Sequence, residues 1–279
     1  MPYKNILMPL TNYPARAPDN VLTAALVVAE LFGGRIKAAI CKITLPDLSN
    51  YLALKVTDIP GVIANARRDC DIAVEELQSA FSSVLGNSVS LPQIVTFDAF
   101  VDTHASGLMG HARLSDLIIV PIAPNQISFD LMQDLIFGSG RPVLLLPANV
   151  PAKPSFKVVV VAWDGGRVAA KAISDALPFL KSAQTVRLVE IVGDKPLDES
   201  SGVAALGRQL LSHGVEGAID TLPADGASAG DLISAYCKNH NADLLVMGAY
   251  GHSRIRDFVL GGVTKRFVAE TAIPVLLAH

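Results

Sequence analysis

Residues 243–264 read Asp243-Leu-Leu-Val-Met-Gly-Ala-Tyr-Gly-His-Ser-Arg-Ile-Arg-Asp-Phe-Val-Leu-Gly-Gly-Val-Thr264, with a short apolar run directly before a loop punctuated by glycine. Gly248, Gly251 and Gly261 follow a G-x2-G-x9-G spacing. Glycine permits positive φ and lets a ligand approach the peptide N–H groups closely. The helix predicted after the loop would direct its free N–H groups and the positive end of its dipole toward the same place. A strand, a loop and a helix in this order predict a phosphate-binding turn, although a glycine spacing alone is weak evidence.

The chain repeats its own pattern at about half its length. Three pairs of segments correspond in position and character: 4–10 with 156–162, 115–121 with 242–248, and 140–147 with 272–278. Between the halves, residues 147–154 contain three prolines, which donate no backbone hydrogen bond and favour extended neighbours. We therefore predict two domains, at residues 1–148 and 155–279, joined by a linker.

Apolar runs alternate with amphipathic stretches along both halves. In the first half we predict strands at 5–9, 36–42, 93–97, 116–120 and 143–146, with helices at 20–32, 63–85, 103–111 and 129–137. In the second half we predict strands at 157–162, 186–192, 215–221, 243–247 and 274–277, with helices at 168–180, 204–213, 229–239 and one ending at 270. This alternation predicts an α/β fold of two tandem doubly wound domains, each a five-stranded parallel sheet flanked by helices.

Composition narrows the class of protein. Of 279 residues, 51% are hydrophobic and 18% are charged, which is typical of a globular chain with a sizeable core. The formal net charge of −3 argues against a nucleic-acid surface as the main function. The sequence shows neither a signal segment nor an apolar run long enough for a membrane span, so we expect a cytoplasmic protein without a membrane partner. The three cysteines form no CxxC pair and indicate no zinc site.

As a pattern of strands, the whole chain resembles two universal stress protein domains in tandem. In the second half the resemblance is specific, because the glycine spacing, the following Val-Thr and the closing Pro274-Val-Leu-Leu resemble the ATP-binding branch of that family. The resemblance implies an adenine nucleotide alpha hydrolase-like fold and a bound adenine nucleotide, ATP or a relative of it, alone or with Mg. It implies that Asp164 lies near the adenosine and that Val192 frames part of the base pocket. It further implies phosphate contacts from six residues: Gly248, Gly251, Gly261, Gly262, Val263 and Thr264.

Two departures from the family pattern matter. The family places Ser or Thr directly after its third glycine, whereas this chain has Gly262 there and lacks that hydroxyl donor. A hydrogen bond to a charged group typically contributes about 1.5–3 kcal/mol, so nucleotide binding would be weaker or altered unless Thr264 compensates. In the first half, Pro121-Ile-Ala-Pro-Asn replaces the expected glycine loop, and proline lacks the N–H that a phosphate needs. We therefore expect the first domain to have lost its phosphate site.

These residues favour a regulatory stress-response protein that binds a nucleotide in its second domain and is not an enzyme. The alternatives are a nucleotide-free scaffold or chaperone-like interaction protein, in which the glycine loop is a structural turn, and a weak ATP hydrolase. Asp164, which precedes Gly165-Gly166, could equally serve as a cap and turn for the next helix. No nucleophile and base pair or metal-ligand spacing stands out. The resemblance also implies that the closing strands at 143–146 and 274–277 pair as an intrachain pseudo-dimer, as in the family's homodimers, and a homodimer of two chains is plausible.

Overall fold

The computed structural model describes residues 3–11, 16–44, 59–85, 93–100, 106–122, 129–192, 200–249, 262–269 and 271–279. The first half contains β1 (Asn5–Thr11), α1 (Asp19–Leu31), β2 (Arg35–Thr44), α2 (Ile59–Leu85), β3 (Gln93–Phe100), α3 (Ser106–Arg113), β4 (Leu117–Ile122), α4 (Phe129–Gly138) and β5 (Val143–Pro147). The second half contains β6 (Val158–Trp163), α5 (Arg167–Ser182), β7 (Thr185–Val192), α6 (Val203–Leu211), β8 (Gly217–Pro223), α7 (Ala229–Asn239), β9 (Leu244–Gly248), α8 (Gly262–Ala269) and β10 (Val275–Ala278).

The predicted order of strands and helices is confirmed, and the differences lie at the boundaries. The predicted end of β4 at residue 120 was wrong, because the strand continues through Pro121 to Ile122 and pairs Pro121 with Leu146. Proline fits an extended backbone, and near the end of a strand its missing N–H removes little of the ladder. Helix α2 begins four residues before its predicted start at 63.

The ten strands found among the described residues form one sheet in the order β3-β2-β1-β4-β5-β10-β9-β6-β7-β8. Within each half the pairing is parallel, and the strands follow the same order, third, second, first, fourth, fifth. The halves meet where β5 and β10 pair antiparallel, with Leu276 opposite Leu144. The predicted pairing of the two closing strands is therefore confirmed, and the α/β fold with helices flanking a mainly parallel sheet is confirmed as well.

The helices cover the two faces of the sheet in groups of four. Apolar side chains from α1, α2, α5 and α6 pack on one face, and those from α3, α4, α7 and α8 pack on the other. The strands that lie between them carry continuous apolar runs, such as Val159-Val-Val161, because both of their faces are buried.

Four aromatic rings join the halves on the first of these faces. The Phe179 ring of α5 lies 4.8 Å from Phe32, 5.1 Å from Phe156 and 5.7 Å from Tyr3 between ring centroids. The Tyr3 hydroxyl donates a hydrogen bond to the carbonyl of Asp175 in α5. Since Tyr3 and Phe32 come from the first half and Phe179 from the second, this cluster fixes α5 against the neighbouring half.

The proline-containing linker is held in place. The side-chain amide of Asn20 in α1 donates to the carbonyls of Ala148 at 2.9 Å and Val150 at 2.7 Å. The Val150 side chain is buried. These contacts tie the segment between β5 and β6 to α1.

Aspartates at equivalent positions accept backbone hydrogen bonds at the beginning of the first strand in each half. In the first half, the Asp116 carboxylate accepts hydrogen bonds from the backbone N–H groups of Lys4 at 2.9 Å and Asn5 at 2.8 Å. In the second half, Asp243 accepts from the N–H groups of Lys157 at 2.9 Å and Val158 at 2.8 Å. Each carboxylate thereby satisfies strand donors that precede the regular ladder.

Replacing Asp243 with alanine is expected to lower the free energy of unfolding by about 1.5–3 kcal/mol, because strand donors lose a charged acceptor. Chemical denaturation followed by circular dichroism measures this loss. Asp243→Asn keeps an acceptor oxygen in the same place and should lose clearly less. An equal loss in both variants would show that the hydrogen bonds at this position are not what stabilises the strand.

Candidate functional site

The candidate site lies at the carboxyl ends of three neighbouring strands in the second half. Asp164 directly follows β6, Val192 ends β7 and Gly248 ends β9. Strand β6 pairs with β7 on one side and with β9 on the other. The order in which successive strands are placed in the sheet therefore reverses at β6. Open parallel sheets bind ligands outside such a switch point. The topology therefore brings these three predicted site residues to one edge.

Most of the predicted glycine loop lies outside the described residues, which end at Ala249 and begin again at Gly262. Gly251 and Gly261 are among the residues outside, as are His252, Arg254 and Arg256. Gly262 is the first residue of α8. The roles of Gly251 and Gly261 remain predictions.

Asp164 closes a turn. Its Oδ1 accepts a hydrogen bond from the backbone N–H of Gly166 at 2.8 Å, and Gly165 between them has φ +71°. The N-cap residue of α5 is Gly166, which has no side chain to form a capping hydrogen bond. Asp164 is therefore a turn residue and not the helix cap itself. This hydrogen bond fixes the carboxylate beside the first turn of α5, at the edge where a ligand would enter.

Gly248 has a packing role that its sequence context does not reveal. A Cβ atom at this position would stand 2.6 Å from the backbone nitrogen of Ala169 and 2.7 Å from the carbonyl carbon of Val168. The first turn of α5 therefore lies directly against the end of β9, and no side chain fits between them. This close approach alone accounts for a glycine at position 248.

Helix α8 is anchored by its contact with α7. Arg266 forms an ion pair with Asp231, and a Cβ atom on Gly230 would lie 3.1 Å from Cδ of Arg266. Hydrogen bonds from Ser228 and then Arg266 hold the pKa of Asp231 below its ordinary value. Arg266 thus has an acidic partner, and this contact orients the helix that begins at Gly262.

The other predicted residues of α8 differ in exposure. Val263 is half-buried, whereas the Thr264 side chain is only 3% exposed. A hydroxyl buried to this degree contacts a ligand only if the ligand reaches into the space beneath the helix start. Thr264 is therefore a weaker candidate for replacing the missing hydroxyl at position 262 than its place in the sequence indicates.

Two side chains from paired strands hold the beginning of α6. Trp163 and Glu190 are register partners on β6 and β7. The Trp163 indole N–H donates to the carbonyl of Ser201 at 2.8 Å, and the buried Glu190 carboxylate accepts from the N–H of Val203 at 2.7 Å. The N-cap residue Gly202 has no side chain to accept a hydrogen bond from the first turn of α6. The Glu190 carboxylate takes this role, and a negative charge is favourable at a helix N-terminus. The role of Glu190 was missed from sequence, because a lone glutamate in an apolar strand carries no local signal.

The end of β10 borders the same edge. The N–H of Ala249 donates to the carbonyl of Ala278 at 2.9 Å, and the His279 ring packs edge-on against Phe137 of α4 with centroids 4.6 Å apart. Burial and the nearby Arg167 charge lower the pKa of His279. The first half therefore contributes Phe137 to the surroundings of this edge.

Neither a cluster of metal-ligating side chains nor a helix able to span a membrane is found among the described residues. Among those residues no group of three or more His, Cys, Asp or Glu could hold a metal ion. In the same ranges, no helix combines the length and the apolar character needed to cross a bilayer.

Comparisons with known proteins agree with this architecture. Residues 155–279 match the model of the Universal stress protein family. The chain is 29% identical over 148 residues to the universal stress protein Slr1230 of Synechocystis, a match that spans 52% of this chain and 49% of that protein. The chain thus spans about half the length of the curated relative it matches.

Solved structures resemble the full chain in fold. A universal stress protein from Archaeoglobus fulgidus superposes with a TM-score of 0.69 and 16% identity, covering 98% of this chain and 97% of its own. A putative universal stress protein from Pseudomonas aeruginosa superposes with a TM-score of 0.57 and 18% identity, covering 99% and 93%. At these identities the likeness concerns the fold alone. Together with the family match, it shows that residues 155–279 contain a universal stress protein domain.

Proposed function

We propose that the second half binds an adenine nucleotide, with ATP as the first ligand to test, and acts as a regulatory component of a stress response and not as an enzyme. The convergence of Asp164, Val192 and Gly248 at the ends of three adjacent strands is the observation that carries this proposal. Helix α8 begins at Gly262 close by in the chain, and a helix N-terminus favours an anion.

Each residue would have a distinct role in holding the nucleotide. The Asp164 carboxylate, fixed by the N–H of Gly166, would accept a hydrogen bond from the ribose. Val192 at the end of β7 would contact the base, and backbone N–H groups from Gly248 through Val263 would contact the phosphates. No described side chain is placed as a general base, and we therefore expect no turnover beyond slow hydrolysis. Magnesium, if it takes part, would be held mainly by the phosphates.

We further propose that residues 1–148 and 155–279 are two domains of one ancestry, of which the first has lost its phosphate site. The shared strand order of the halves supports this view. In the first half, Pro121 continues β4 where the second half has Gly248 at the end of β9, so a backbone donor is missing there.

One specific observation favours the alternative of a nucleotide-free scaffold. Gly248 is explained by its contact with α5, and Asp164 is explained by the turn that it closes. Both residues could therefore be retained for folding alone. A binding measurement separates the two functions.

Calorimetric titration with ATP and magnesium is expected to show binding, and Gly262→Ser should strengthen it about tenfold by adding a hydroxyl donor at the helix start. Gly262→Ala is the matched control, because it adds a Cβ atom without a hydroxyl and should not strengthen binding. Gly251→Val should weaken it. No binding at millimolar ATP, together with purified protein that carries no nucleotide, would favour the scaffold.

A further inference from the structure

A groove between α5 and α6 opens on one helical face of the sheet and begins at the end of β6, where Trp163 directly precedes Asp164. Its volume is about 400 Å³, within the lower part of the range usual for small-molecule pockets. Its lining residues come from the end of β6, from α5 and from the segment that contains α6: Trp163, Ala170, Ile173, Ser174, Leu177, Ser200, Ser201, Ala205, Leu206, Gln209 and His213.

The groove exists because α5 and α6 cover different strands. Helix α5 packs on β6, β9 and β10, whereas α6 packs on β7 and β8. Small residues such as Ala170, Ser174 and Ala205 face the space between them. In the first half, α1 packs directly against α2, whose Leu77 and Phe81 are fully buried. The second half thus leaves open a space that its counterpart fills.

The residues that line the groove favour an uncharged ligand. Ile173 and Leu206 are buried and form an apolar floor, while Ser174 and Gln209 are exposed at the rim. Among the lining residues that the structure describes, none is Asp, Glu, Lys or Arg, and His213 is the only ionisable side chain. A charged molecule would lose hydration there, and the described lining residues offer it no carboxylate, ammonium or guanidinium partner.

Trp163 supplies an aromatic wall that is already oriented. Its N–H is bound to the carbonyl of Ser201, so the ring position is fixed, and the half-buried ring lines the groove. Planar rings gain from stacking or edge contacts with such a surface.

We propose that the α5–α6 groove binds an uncharged aromatic molecule of two or three fused rings, with its apolar body against Ile173, Leu206 and the Trp163 ring and its hydrogen-bonding group at Gln209. The residues that line the groove do not include Asp164, Val192 or Gly248, so this proposal holds whether or not the second half binds ATP.

Trp163 makes the test direct, because it is the single tryptophan of the chain and gives one indole N–H signal in a nitrogen-correlated NMR spectrum. Adding 2-naphthol is expected to shift this signal saturably. The anion 2-naphthoate has the same ring system and a negative charge. Its affinity for the groove should be lower than that of 2-naphthol by a factor of about ten or more. Equal affinity for both probes, or no saturable shift with 2-naphthol, would overturn the proposal.

Adjacent alanines provide a matched pair of variants. Ala205 lines the groove, whereas Ala204 is exposed on α6 and does not line it. Ala205→Phe should abolish the 2-naphthol shift, and Ala204→Phe should leave it unchanged. Undiminished binding to a folded Ala205→Phe protein would contradict the assignment.

Gln209→Lys keeps the test decisive if Ala205→Phe does not fold, since Gln209 is exposed and tolerates a longer side chain. The added ammonium group should strengthen 2-naphthoate binding about tenfold. No gain for 2-naphthoate would count against Gln209 as the contact point. A shift of the indole signal on dilution of the protein alone would instead identify a second copy of the chain as the occupant, and it would overturn the small-molecule site.

Discussion

Phe179→Ala is expected to lower the free energy of unfolding by about 3–5 kcal/mol, the range typical for removing a large aromatic side chain from a core. Phe179 is fully buried, and its ring contacts those of Phe32, Phe156 and Tyr3. The neighbouring rings belong to both halves and cannot collapse into the gap without moving α5 relative to α1. Urea denaturation followed by circular dichroism measures the loss.

Phe137→Ala is the matched control for this substitution. Phe137 is 40% exposed and contacts the His279 ring at the edge of the molecule. Its removal opens little cavity and should lower the free energy of unfolding by about 1 kcal/mol or less. Similar losses for Phe179→Ala and Phe137→Ala would show that the aromatic cluster does not hold the halves together.

The larger features of this fold could be predicted because they rest on local patterns. Apolar runs of strand length and amphipathic helices recur in both halves, and their order predicts a parallel sheet covered on two faces. The order of elements depends on periods and segments that can be read without knowing their neighbours. The pairing of β5 with β10 was instead expected from the resemblance to the universal stress protein family, and the apolar character of residues 143–146 and 274–277 suits it.

The contacts that determine the site depend on distant residues and could not be read in this way. Glu190 and Val203 meet because β7 lies under α6, and Tyr3 meets Asp175 across the two halves. Pro121 was expected to end a strand, yet the adjacent β5 keeps it in register. For Asp164 the sequence left two roles open, and the turn role is confirmed while the contact with adenosine stays a prediction.

Gly248 also has two possible roles, packing against α5 and contact with a ligand, and a substitution can separate them. Gly248→Ala is expected to lower the free energy of unfolding by about 1–3 kcal/mol, because its Cβ would overlap the backbone of Val168 and Ala169 and push the first turn of α5 away from β9. Asp164 and Gly166 directly precede that turn, so ATP affinity should fall as well, measured by titration under conditions where the variant is folded.

Gly110→Ala is the control, since Gly110 lies within α3 and a Cβ there would meet nothing within 4 Å. This substitution should raise stability by about 0.5–1 kcal/mol, the usual gain from replacing glycine inside a helix. A Gly248→Ala protein that is destabilised and binds ATP more weakly fits a glycine needed for packing that positions the site. A variant as stable as the original that no longer binds ATP would mean that this glycine makes room for the ligand, and that the contact with α5 leaves space for a methyl group after all.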